Sequence, residues 1–162
     1  LLTLGTVAVQ GRPVTFERPQ GIQHPMEARL GEHVTLIGYG LSAESAPPGS
    51  TLTLTLYWQA LGPMSQSYKV FTHLVGPDGE IGGQKDSLPG GGSLPTSGWV
   101  EGEYLVDSYQ ILVKPEAPGG EYVIEIGMYE ESTGTRLPAF DAQGQTIGDK
   151  IVLGRVWVPR ER

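Results

Sequence analysis

Thr51-Leu52-Thr53-Leu54-Thr55-Leu56-Tyr57-Trp58 is the stretch that decides the fold of this chain. Successive side chains of an extended chain point to opposite sides, so Leu52, Leu54, Leu56 and Trp58 share one face and Thr51, Thr53, Thr55 and Tyr57 share the other. A helix would scatter the leucines around its circumference. Apolar residues on one face and β-branched or polar ones on the other describe an antiparallel strand with one buried side. Trp58 falls on the leucine face and reads as core. Residues 121–129 repeat the pattern, with Tyr122, Ile124, Ile126 and Met128 inward.

Outward from these two segments, further strands are expected at residues 3–9, 33–39, 68–75, 80–85, 104–113, 135–137 and 150–158. Turn-forming runs separate them: Pro47-Pro48-Gly49, Gly62-Pro63, Pro77-Asp78-Gly79, Pro118-Gly119-Gly120 and Ser132-Thr133-Gly134. Pro77-Asp78-Gly79 fits a type I turn with Pro at its second position, closing a hairpin. No segment supports a helix of ten residues. The expectation is an all-β, antiparallel two-sheet β-sandwich of eight or nine strands; the strand list does not choose between immunoglobulin-like and jelly-roll topologies. Residues 1–29 read as an N-terminal strand and linker, 30–158 as the sandwich and 159–162 as a tail.

Composition agrees. The 162 residues include 24 Gly and 13 Pro, which disfavours a helical bundle, while 38% hydrophobic residues suffice for a core. Cysteine is absent, so disulfides and thiolate metal sites are excluded. A net charge of −7 argues against a nucleic-acid or anionic-membrane partner. No run of eighteen apolar residues offers direct membrane insertion. The first residue is Leu1 rather than Met, so the chain is expected to be a piece of a longer polypeptide.

Residues 37–140 carry a resemblance. The order runs Ile37-Gly38-Tyr39, Leu54-Thr55-Leu56-Tyr57-Trp58, Tyr68-Lys69-Val70-Phe71-Thr72-His73-Leu74 and Asp86-Ser87-Leu88-Pro89-Gly90-Gly91-Gly92. It continues through Pro95-Thr96-Ser97-Gly98-Trp99, Gly102, Asp107, Pro118-Gly119-Gly120-Glu121-Tyr122 and Gly127-Met128-Tyr129 to Arg136-Leu137-Pro138. This series resembles the soluble β-sandwich domain appended C-terminally to bacterial multi-pass membrane glycosyltransferases of the mannosyltransferase type. The resemblance implies a non-catalytic, extracytoplasmic accessory domain, tethered to a membrane by the rest of its parent. Residues 1–29 lie outside it.

Five residues are candidates for a ligand site: Trp99, Asp86, Thr96, His73 and Asp107. The longest irregular stretch, residues 86–99, is rich in glycine and hydroxyls and ends on Trp99. An aromatic ring beside hydroxyls and acids suits a sugar, whose C–H face stacks on the ring while polar groups read its hydroxyls. The competing reading makes Trp99 a plug at the end of the sandwich. His73 is either a metal ligand or general base, or a half-buried histidine bonded to a carbonyl or carboxylate. Asp107 shares a strand face with Leu105, Tyr109, Ile111 and Val113. An acid there must be bonded or paired, either to a ligand or Ca²⁺ or as a structural cap of the 86–99 loop.

No spacing supports a metal site or a cofactor, and no nucleophile–base pair or facing carboxylate pair assembles into a recognised reaction centre. Together with what the resemblance implies, the expectation is an accessory module, not an enzyme, whose expected partner, from the aromatic and polar loop, is a glycan or sugar-bearing acceptor. The alternative is a structural or protein-interaction module docking on the parent's membrane domain. A hydrolase is the more distant rival.

Overall fold

The computed structural model describes residues 12–159. Residues 51–60 form a strand whose exposure alternates along its whole length, burying Leu52, Leu54, Leu56, Trp58 and Ala60. The strand at residues 120–129 buries Tyr122, Ile124, Ile126 and Met128. The two strands lie in different sheets, and their inward side chains belong to one core. Ala60 aside, each of these side chains removed from water contributes about 1.5–3 kcal/mol, so these eight larger residues are a large part of what holds the sheets together.

In chain order the strands are β1 (His24–Leu30), β2 (Val34–Leu41), β3 (Thr51–Ala60), β4 (Lys69–Val75), β5 (Ile81–Gln84), β6 (Tyr104–Leu112), β7 (Gly120–Tyr129), β8 (Ala139–Phe140), β9 (Thr146–Gly148) and β10 (Ile151–Val158). One sheet has six strands in the order β9-β8-β1-β2-β3-β6, the other four in the order β10-β7-β4-β5. All neighbours within the sheets run antiparallel. The all-β sandwich read from the sequence is the observed fold, with ten strands among the described residues rather than eight or nine.

The Pro77-Asp78-Gly79 turn forms as expected: the Gly79 N–H donates to the Gly76 carbonyl at 2.9 Å, and β4 continues into β5. Residues 135–137 do not form a strand, although Arg136 bridges Tyr129. Two short strands, β8 and β9, follow instead. The strand expected at residues 3–9 lies outside the described residues, as does the end of the tail.

The main difference is β1. Residues 24–29 sit inside the stretch read as an N-terminal strand and linker, yet β1 pairs with both β2 and β8, so the six-stranded sheet extends into that stretch. The local sequence hides this strand. Pro25 interrupts it, and the β1–β2 register slips between Pro25 and Ala28, so the inward pair Ala28 and Leu30 is too short to show an alternation. Across from it, a Cβ on Gly38 would run into the Ile22 side chain and stand 2.9 Å from the His24 carbonyl oxygen. Glycine at that position lets β1 approach β2.

Candidate functional site

Asp107 lies on β6 and points into the core with Leu105, Tyr109 and Ile111, at 1% exposure. Its Oδ1 accepts the Gly90 backbone N–H at 2.8 Å; its Oδ2 accepts Trp58 Nε1–H at 3.1 Å and the Tyr109 hydroxyl at 2.7 Å. Burial pushes its pKa up, and the three donated hydrogen bonds oppose that rise. Burial and the Asp107 charge together drive the Tyr109 phenol far up. The carboxylate thus ties the 86–99 loop to the strand beneath it, with its hydrogen-bonding capacity engaged inside the protein.

The same loop places Thr96 and Trp99 in the interior. Thr96 is fully buried; its hydroxyl donates to the Gln66 carbonyl at 2.7 Å and accepts the Tyr68 N–H at 3.0 Å. Trp99 is 3% exposed, donates Nε1–H to the Leu94 carbonyl at 2.8 Å, and lies 6.3 Å from the Trp58 ring. The expectation of an exposed sugar-stacking ring at Trp99 is corrected by this geometry. A large apolar side chain next to a strand end is drawn into the core, and the glycines give the loop the bends that let it follow. Gly90 and Gly91 both take left-handed φ values, 67° and 66°.

His73 and Asp86 sit elsewhere, against the outer face of the four-stranded sheet. His73 Nε2 is 3.8 Å from Asp86 Oδ1, and the Tyr129 hydroxyl donates to Asp86 Oδ2 at 2.9 Å. Burial lowers the His73 pKa, against the pull of Asp86 in the other direction. Tyr129 is pushed up to about 12 by burial and by Asp86. The Phe71 ring packs beside His73 at 4.9 Å and lies under the Arg136 guanidinium at 4.1 Å. The five candidates therefore divide into an interior set (Thr96, Trp99, Asp107) and a half-buried pair (His73, Asp86), and do not line one open pocket.

An open cleft of about 470 Å³ lies on the outer face of the six-stranded sheet. Strand register builds its floor: Arg29 of β1 pairs with Thr35 of β2, which pairs with Gln59 of β3. These residues point away from the core because their neighbours Leu30, Val34, Trp58 and Ala60 point into it. Arg29 lies over the Phe140 ring at 4.4 Å and donates Nε–H to the Gly31 carbonyl at 2.9 Å. One wall is the β8–β9 turn, where Asp141 Oδ1 accepts the N–H groups of Gln143 and Gln145 at 3.0 and 2.9 Å.

The other wall comes from the segment before β1. Thr15 bridges Tyr104 at the β6 edge, Arg18 lines the cleft, and Ile22 reaches Gly38, so this segment crosses the sheet's outer face. Its start is fixed by Arg12, whose guanidinium pairs with both oxygens of the buried Glu103. Sequence reasoning missed this cleft. Its residues are far apart along the chain, and only strand register brings them together.

No protein-family model and no curated protein sequence matches the chain. Among solved structures it is similar to the crystal structure of the C-terminal domain of Wzt, with a TM-score of 0.51, 12% sequence identity, and coverage of 86% of this chain and 81% of that one. At that identity the likeness concerns the fold: a β-rich domain of this architecture forms the C-terminal domain of Wzt.

Proposed function

We propose that this domain is a non-catalytic accessory module that binds or positions glycan through the cleft on its six-stranded sheet. The observation that carries the reading is the row Arg29, Thr35, Gln59 on the cleft floor, with Arg29 and Gln59 partly exposed, Thr35 buried between them, and Glu27 and Asp141 lining the same cleft. Guanidinium, hydroxyl, amide and carboxylate groups on a rigid sheet supply both donors and acceptors, which is what a surface reading sugar hydroxyls needs. The resemblance of residues 37–140 supports a parent of the membrane glycosyltransferase type and a position outside the cytoplasm. The fold likeness to a C-terminal domain supports an appended module. In this reading the chemistry belongs to the parent, and the domain alone turns over no glycoside.

A glycan array followed by NMR titration of the 162-residue chain tests the proposal. Binding with a Kd of about a millimolar is expected, because a shallow polar cleft offers little beyond the cost of ordering its ligand. Amide shifts should cluster on β1–β3 and the β8–β9 turn, and Gln59→Ala should weaken binding severalfold at unchanged melting temperature. Shifts confined to the 86–99 loop would move the site there.

A second reading, docking on the parent's membrane domain, is favoured by the exposed apolar side chains of β10. Val152 and Trp157 are 53% and 52% exposed on the outer face of the four-stranded sheet. If that face docks, Trp157→Ala should abolish co-purification of the domain with a separately expressed parent membrane domain and leave cleft titrations unchanged.

A further inference from the structure

Five of the nine described lysines and arginines stand within 4.0 Å of a carboxylate: Arg12, Lys69, Arg136, Lys150 and Arg155. In a chain with 18 acids against 11 lysines and arginines, such pairing is the expected state. Among the described residues, the two arginines outside any such pair are Arg18 and Arg29, and both line the same cleft. Two carboxylates, Glu27 and Asp141, line it too without reaching either guanidinium within ion-pair distance. Asp141 is held instead by its own turn, with Oδ1 facing two backbone N–H groups.

Arg29 is preorganised. Its Nε–H is engaged by the Gly31 carbonyl and its guanidinium carbon lies over the Phe140 ring, two contacts that hold the group while its two terminal nitrogens make no hydrogen bond to the described residues. A guanidinium held over an aromatic ring and by one backbone acceptor presents the remaining donors in a fork that matches two oxygens of one anion. Arg18 lines the same cleft from the crossing segment, so two guanidiniums outside any ion pair among the described residues belong to one cleft.

We propose that the cleft recognises an anionic glycan, with the carboxylate or phosphate group of the sugar seated between Arg18 and Arg29 and its hydroxyls on Thr35 and Gln59. This rests on the glycan reading and adds the charge of the ligand to it. A sugar acid and a sugar phosphate present the same bidentate oxygens, so both belong among the probes.

The test is calorimetric titration of the full 162-residue chain with three oligosaccharides of equal length: oligogalacturonate, a phosphorylated mannan fragment and neutral mannan. One or both anionic probes should bind about tenfold more tightly than the neutral one at low salt, and the preference should shrink as added salt screens the exposed Arg18. Arg18→Gln, at a solvent-exposed position, should remove much of the preference without changing the melting temperature; Arg29→Gln should remove the rest. The better anionic probe identifies which oxygens are read. Equal affinity for all three probes would overturn the anionic reading and leave the glycan reading standing. An anion preference that survives in the Arg18→Gln, Arg29→Gln double variant would also overturn it. Absence of binding to every probe would overturn both.

Discussion

Asp107 shows how one buried charge organises a loop. Each of its contacts is donated by the protein itself, from Gly90, Trp58 and Tyr109. Asparagine in its place offers a single acceptor oxygen and turns an N–H₂ toward a donor, so Asp107→Asn should cost about 1–3 kcal/mol in denaturant melts. The pH dependence follows from the raised pKa. Burial penalises the charged form, so the folded chain holds this proton to a higher pH than the unfolded chain does. Below the ordinary carboxylate value both states are protonated and the penalty is absent. As pH rises through the folded value, native stability falls by this contribution. The variant lacks it, so the stability gap between wild type and Asp107→Asn should be widest in acid and narrow toward neutrality. A gap that grew with pH would mean that the ionised carboxylate is the favoured form in the fold.

Among the elements, β3 and β7 were legible because each has an unbroken two-residue period, with apolar side chains inward and polar or β-branched ones between them. The inward position of Asp107 was legible for the same reason, since β6 alternates Leu105, Asp107, Tyr109, Ile111. Strand β1 was not, because its bulge resets the period after Pro25 and its pairing depends on a glycine in the neighbouring strand. Gly38→Ala should therefore act on β1, lowering stability by about 1–3 kcal/mol and exposing the amides of residues 24–30 to hydrogen exchange before those of β3. The cleft was illegible for a different reason. Arg29, Thr35 and Gln59 have no local spacing that marks them, and their adjacency exists only once register is set. Trp99 had an informative neighbourhood, but a loop tryptophan looks alike in sequence whether its ring faces water or the core.

At the level of the whole molecule, the sheets are held by one core, so a cavity anywhere in it weakens the entire sandwich. Leu54→Ala should cost about 2–5 kcal/mol and reduce the midpoint of a single cooperative transition, read by circular dichroism and tryptophan fluorescence together. Divergent midpoints would show that the two sheets unfold separately. The ion pair between Arg12 and the buried Glu103 has a mechanical consequence. Glu103 also accepts the Val100 N–H, so Arg12 is clamped next to the start of β6. A pull on the chain ahead of Arg12 is taken up at that clamp, before it can reach the stretch that carries Arg18 across the sheet. The cleft wall is thereby shielded from tension, and a load applied at the amino end would reshape the binding surface only after the clamp had given way.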